Sequence, residues 1–156
     1  MNPGTRFFER TDMHKRTVAT YQDAHLILEL FELRREERMR AAREWFLGKF
    51  NPRTLDDVRG LAAGTPENVS YRMVTTYWDM AASFVAHGIL DADLFLESGG
   101  EMLVVWAKLE HLIPDIRKDA NPRLLINVDK VVQGSESAQQ RLKPLRERFA
   151  AQRAKA

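Results

Sequence analysis

Apolar side chains recur along this chain three and four residues apart, and strand-like alternation is weak. From about Arg16 to Lys49 they fall at Tyr21, Ala24, Leu28, Phe31, Met39, Ala42 and Phe46, with no proline and no glycine before Gly48. That pattern predicts one long helix. A second stripe, Leu26, Leu30 and Leu33, runs beside its first half, so both sides of that portion are expected to be covered. Between residues 34 and 44, Arg34, Arg35, Arg38, Arg40 and Arg43 alternate with Glu36, Glu37 and Glu44, as in a solvated helix with side-chain pairs three and four apart. At 1.5 Å per residue such a helix would measure about 50 Å, against roughly 40 Å for the diameter of a globule of this size. It must bend, or its end must project and offer Met39, Ala42, Trp45 and Phe46 to a partner, a second copy being the favoured one.

Start and stop signals divide the rest. Asn51-Pro52 ends the first helix, because the residue before proline is pushed out of the helical region. Thr54 and Asp57 form a capping box for a short helix. Thr65, Pro66 and Glu67 then open a helix carrying two stripes, one at Val69, Met73, Thr76, Tyr77, Met80 and Phe84, the other at Tyr71, Val74, Trp78, Ala81, Ala82 and Val85. Two stripes predict a buried, central helix that closes at His87-Gly88. Asp91 caps a short helix, and a longer one from Glu101 carries Met102, Val105, Trp106, Leu109 and Leu112, with Pro114 kinking or ending it. A helix from Asn121-Pro122 stops at Gly134, and a marginal one is interrupted by Pro144. The expected architecture is all-α, a single-domain irregular helical bundle of about five to seven helices with one long N-terminal helix. Residues 1–15 are expected to be a flexible segment, 16–134 the helical domain and 135–156 a basic C-terminal helix or tail.

Composition narrows the class. The chain has 156 residues, 44% hydrophobic and 29% charged, which fits one soluble globular domain able to bury a core without staples. It has no cysteine, which excludes disulfides, thiolate metal sites and cysteine nucleophiles. No apolar run is long enough to span a bilayer and no signal-peptide core is visible, so a cytoplasmic location is expected. The net charge of +2 divides unevenly: residues 1–16 carry +2, 141–156 carry +5, and the stretch between them −5. The high pI of about 9.0 therefore belongs to the ends, which weakens a nucleic-acid reading of the body. Within the C-terminal segment Arg141, Lys143, Arg146 and Arg148 are candidate phosphate contacts, with a solvated helix as the favoured alternative.

Catalytic patterns for phosphate, dinucleotide, zinc or calcium binding and for a nucleophile elbow are absent, as is the Glu-x-x-His pair of a di-iron bundle. No cofactor, metal site or catalytic residue is expected, and the chain is read as non-enzymatic. His25 and Glu29 share a helix face as a bare pair, and His87 suits a carbonyl bond at a helix end. His111 beside Glu110 and Asp115 reads the same way. Asp79, in a helix apolar on two sides, needs partners, for which Arg72, Arg117 and Arg123 are candidates. If the bundle holds a ligand, its pocket is expected between helices near Tyr77, Trp78, Asp79 and Trp106.

Several segments carry a resemblance: Asp23-Ala24 followed by Leu33 to Glu37, Ala42 to Phe46, Tyr77 to Ala82, Gly88 to Phe95, Gly100 to Met102, and Ile116-Arg117 leading to Asn121-Pro122. Together they resemble a family of uncharacterised bacterial all-helical proteins, over most of residues 20–132. The resemblance implies an all-helical domain and no particular activity. Three functions remain open: a regulatory or adaptor domain that self-associates, a dimer being favoured, or binds another protein; a ligand-sensing bundle; and nucleic-acid association through the basic C-terminal segment.

Overall fold

The computed structural model describes residues 18–155, so the expected N-terminal segment 1–15 lies outside the described residues. Among the described residues there are nine helices: α1 (Tyr21–Arg35), α2 (Glu37–Gly48), α3 (Leu55–Arg59), α4 (Pro66–Ala86), α5 (Ala92–Ser98), α6 (Gly100–Leu109), α7 (Ile113–Asp119), α8 (Ile126–Gly134) and α9 (Glu136–Lys155). The all-helical expectation holds, with nine helices where about five to seven were expected; of the two extra breaks, the first falls where Pro114 was expected to kink or end a helix. It separates α6 from α7, where Pro114 stands in the first turn of the new helix. The other corrects the single long N-terminal helix.

That break is at Glu36, whose backbone turns extended at φ −55° and ψ 140°. Its carboxylate accepts from the Met39 N–H at 3.0 Å and so caps α2. The Arg38 and Met39 N–H groups hold that carboxyl below the ordinary glutamate range. Arg43 closes the corner by donating to the Arg34 carbonyl at 3.2 Å, one of the acceptors left over at the end of α1. Helix α2 does not project: the turn lays it along α4, its most extensive neighbour. Met39, Ala42 and Phe46 are consequently buried in the chain's own core, and Trp45 stacks on Phe50 at 4.9 Å. The proposed oligomer contact at these four residues is therefore internal packing.

Helix α4 is the axis, with α2 and α8 packed against it and α6 touching it. Its start follows the sequence signal, with the Thr65 hydroxyl accepting from Asn68 N–H and Pro66 in the first turn. It ends at Gly88, whose φ of 69° is open to glycine without penalty. The stripe Tyr71, Val74, Trp78, Ala81, Ala82 and Val85 is buried, each large member worth about 1.5–3 kcal/mol. The other is only partly covered: Tyr77 is buried, Met73 and Phe84 are half-buried, and Val69, Thr76 and Met80 face outward. Helix α4 is thus central without being enclosed.

At the C-terminus, α9 packs on α6 and α8 and buries Ala138, Leu142 and Phe149. Pro144 sits inside it without ending it, which corrects the expected interruption. The hydrogen bond lost at proline is outweighed by the apolar face on either side of it. Helix α1 is tied down by polar groups. Asp23, 1% exposed, accepts from Thr20 N–H at 2.6 Å and from the Asp91 N–H at 3.0 Å, joining the start of α1 to the start of α5. Only its inner side is covered. Leu30 is buried and Leu26 and Ile27 half-buried, whereas Tyr21, Leu28, Phe31 and Leu33 are exposed, contrary to the expectation that both stripes would be covered.

Candidate functional site

Lys108 lies on the buried side of α6, three residues after Val105 and four before Leu112. It is 3% exposed. Its ammonium donates to the carbonyls of Phe46, Leu47 and Phe50 at 2.7, 2.8 and 2.7 Å. Those acceptors exist because α2 ends there: the Lys49 and Phe50 N–H groups both turn back to the Trp45 carbonyl, leaving later carbonyls without intrahelical donors. A cation at the negative end of a helix is well placed. The three carbonyls use all three ammonium protons but carry no formal charge. Burial, helped by the charge of Arg148, pushes the lysine down to about 8.

Beside Lys108 opens a cavity of about 240 Å³, between the link that follows α2 and the outer turns of α9. Asn51 and Arg53 line it from the link, and Phe149, Gln152 and Arg153 from α9. Arg148 lies 5.3 Å from the Phe149 ring centre. His111 stands against the backbone of Pro52 and Arg53, and desolvation followed by the charge of Arg153 holds it below the ordinary imidazole range. Nearby carboxylates are engaged: Glu110 is bound by Arg146 at 2.5 and 2.8 Å, and Asp57 accepts from the N–H groups of Arg53 and Thr54. Cations and amides line the cavity and no carboxylate does, so it offers nothing to a metal ion. Among the described residues no group of three or more His, Asp or Glu is placed to hold one.

The second cluster surrounds Trp78. Glu101, at the start of α6, takes a forked pair of bonds from Arg43 at 2.8 and 2.5 Å, and accepts from the Trp78 indole N–H at 3.2 Å. Glu101 raises the Arg43 pKa. Tyr77, pushed up to about 12 by burial, donates to the Leu30 carbonyl at 2.7 Å, and Arg34 lies 5.3 Å from the Trp78 ring centre. The space left beside these groups is about 30 Å³, enough for one water.

The expected ligand pocket is therefore not assembled. Tyr77 and Trp78 share this small gap, but Asp79 points elsewhere: its carboxylate accepts from Asn127 N–H at 2.8 Å, Val128 N–H at 3.2 Å and the Asn127 side-chain amide at 2.9 Å. It caps α8 in place of the arginine pairing foreseen for it. Trp106 is buried on α6 near Glu110; burial raises that carboxyl, but Arg146 outweighs the effect and holds it below the ordinary glutamate range. Of the four candidate phosphate contacts, Arg141 donates to the Leu96 carbonyl and Arg146 is committed to Glu110. Lys143 is exposed, and Arg148 is near the cavity. His25 and Glu29 pair on the exposed side of α1 at 3.3 Å, and His87 Nδ1 lies 2.8 Å from the Ser83 carbonyl.

Sequence reasoning missed the cavity because its walls come from three separated segments. One signal was legible: Lys108 falls at a core position of the α6 stripe, where a cation has to find acceptors.

The chain belongs to the family described as a domain of unknown function (DUF4760), which matches residues 19–135. This is the kind of relationship that the segments quoted from the sequence pointed to. No curated protein and no solved structure matches the chain. Helix α9, and with it one wall of the cavity, lies beyond the matched residues.

Proposed function

We propose that this domain works by contact with a second copy of itself, without catalysing a reaction, and that the contact is made by the outer face of α1. The observation behind the proposal is the 3-4-3 spacing of Tyr21, Ala24, Leu28 and Phe31, all exposed; Tyr21 is 81%, Leu28 63% and Phe31 45% exposed. Such spacing makes the seam of a two-helix coiled coil, and a contiguous apolar strip of this kind is a common mark of an interaction surface. The strip is self-complementary when a second α1 runs antiparallel. Tyr21 of one copy then faces Phe31 of the other, Ala24 faces Leu28, and the same pairs repeat across the twofold axis, as an isologous contact requires. Small Ala24 opposite large Leu28 lets the helix centres approach, while rings fill the ends.

With aromatic side chains covering about 150–250 Å² when fully buried, the strip and its flanks give on the order of 1,000 Å² in total, the range of weak, reversible association. The non-enzymatic part of the reading draws support from how the ionisable groups are employed. Asp79, Glu101 and His87 are each committed to a backbone or arginine partner. Sedimentation equilibrium over a wide concentration range tests the proposal. The wild type should pass from monomer to dimer, and Leu28→Asp should stay monomeric with unchanged helicity. A wild type that remains monomeric throughout, or a Leu28→Asp variant that dimerises as well, would overturn it.

A further inference from the structure

We infer that the cavity between the link after α2 and the outer turns of α9 binds a compact organic or inorganic polyanion, bearing phosphate or carboxylate groups. Arg53 and Arg153 are its grips and Lys108 is the fixed charge at its floor. The cavity of about 240 Å³ has room for about eight waters. That is below the size of a typical drug-sized pocket and suits a molecule of roughly a dozen non-hydrogen atoms.

Three features point to an anion. First, the charges around the cavity share one sign: Lys108, Arg53 and Arg153 line it, and Arg148 is close enough to disfavour the charge on Lys108. Second, none of these charges is held in an ion pair. Among the described residues Arg53, Arg148 and Arg153 form no salt bridge, and Lys108 has no carboxylate partner: its ammonium donates to carbonyls and lies 5.8 Å from the Phe46 and Phe149 ring centres. The neighbouring carboxylates are engaged, Glu110 by Arg146 and Asp57 by backbone N–H groups beside Arg53. Third, the groups at the wall match such a ligand. Guanidinium forks grip phosphate or carboxylate by paired bonds, the Asn51 and Gln152 amides add donors, and Phe149 supplies an apolar side. Lys108 has no proton left to donate, so it acts on the ligand through its field in a partly dry setting. A bound anion supplies the counter-charge that the carbonyls cannot, and relieves the crowding of like charges.

Calorimetric titration of the full chain with pyrophosphate and, separately, with citrate, at constant ionic strength, tests this. At least one probe should bind saturably with one site per chain, and at saturation raise Tm by a few degrees, since a ligand that binds only the folded state stabilises it. The double variant Arg53→Glu/Arg153→Glu should lose at least tenfold in affinity. Neither side chain donates a hydrogen bond or forms an ion pair within the described residues, so the variant is expected to keep the wild-type helicity. Arg123→Glu, exposed and outside the cavity, should bind like the wild type. A second readout is the Lys108 ionisation midpoint, which should move up from about 8 when the probe is bound. No saturable binding of either probe would overturn the inference. So would equal stabilisation of wild type and double variant, the mark of a general salt effect.

Discussion

Helix α6 carries two charges seven residues apart, half-buried Glu101 at its start and buried Lys108 near its end, and the fold treats them differently. Glu101 has a full counter-charge: Arg43 grips it with a fork, and the Trp78 indole adds a third bond. Lys108 has three good hydrogen bonds and no counter-charge, because its partners are the carbonyls at the end of α2. Both groups satisfy hydrogen-bonding geometry, so geometry alone would rank them equal. Electrostatics separates them. A hydrogen-bonded ion pair is neutral as a unit and can be closed off from solvent, and the gap beside Trp78 holds about 30 Å³. An ammonium held by dipoles leaves its net charge in place, and a cavity of about 240 Å³ with further cations stands next to it. Structural cohesion belongs to the first cluster, and ligand recognition to the second.

The most disruptive way to break that contrast is to remove the counter-charge from the first cluster. Glu101→Gln keeps the shape but leaves the Arg43 guanidinium, 24% exposed in its side chain, without a carboxylate. Stranding a largely buried charge costs about 3–5 kcal/mol. The lower end is expected here because some water reaches Arg43. Chemical denaturation should show the loss as a lower midpoint at unchanged slope. A loss under about 1 kcal/mol would mean that the pair contributes no more than a surface salt bridge does.

The second cluster responds more mildly, and with a pH signature. Lys108→Met leaves three carbonyls without donors, a cost offset by the removal of an unneutralised buried charge; the expected net loss is about 2 kcal/mol at neutral pH. The wild type carries a sign that the variant lacks. The folded-state pKa of Lys108 is about 8, below its ordinary value of 10.5. Between those values the unfolded chain holds more protons on this group than the folded chain, so stability rises with pH across that window; below about 8 the penalty is present in full. Tyr71 and Tyr77, both raised to about 12 from 10, act in the opposite sense only above pH 10. Denaturation midpoints followed from pH 7.5 to about 9.5 should therefore climb in the wild type relative to Lys108→Met. Parallel profiles would remove Lys108 as the source.

How much of this was legible in the sequence depends on the distance over which each feature is decided. Local signals read correctly: Thr65-Pro66 opens α4, Gly88 closes it, and the box of Thr54 and Asp57 caps α3. Family membership was legible as well, through segments spread over most of the matched residues. The break at Glu36 was not, because Leu33 to Glu37 are all good or fair helix formers, with neither proline nor glycine among them. Propensity differences there amount to tenths of a kcal/mol. Burying Met39 and Phe46 against α4 is worth several times more, and that gain exists only in three dimensions. The two stripes of α1 illustrate the same limit: periodicity located both correctly but could not tell which one the chain itself would cover. The candidate pocket failed for a rotational reason. Trp78 and Asp79 are adjacent in sequence, so they leave α4 about 100° apart and serve different neighbours, Glu101 and α8.

Asp79 also gives the gentlest test, as the mirror image of Lys108. There a cation sits at the carbonyl end of α2, and here an anion sits at the N–H end of α8, accepting from Asn127 and Val128 N–H and from the Asn127 amide. The site has more to hold than an ordinary cap, because Leu125, just before α8, adopts the left-handed conformation at φ 49° while 1% exposed. A leucine there stores on the order of 1 kcal/mol of backbone strain. Arg117 holds the far side of that turn through the Leu124 and Leu125 carbonyls. Asp79→Asn keeps one carbonyl oxygen for the backbone N–H groups, but sets its own amide N–H against that of Asn127 and loses the charge that favours the helix start. The expected cost is about 1 kcal/mol, below both substitutions on α6. Amide hydrogen exchange should place the effect at the first turn of α8, with the centre of α4 protected as before. Faster exchange spread evenly over α4 and α8 would instead make Asp79 a member of the core, and the likeness to the dipole-held lysine would fail.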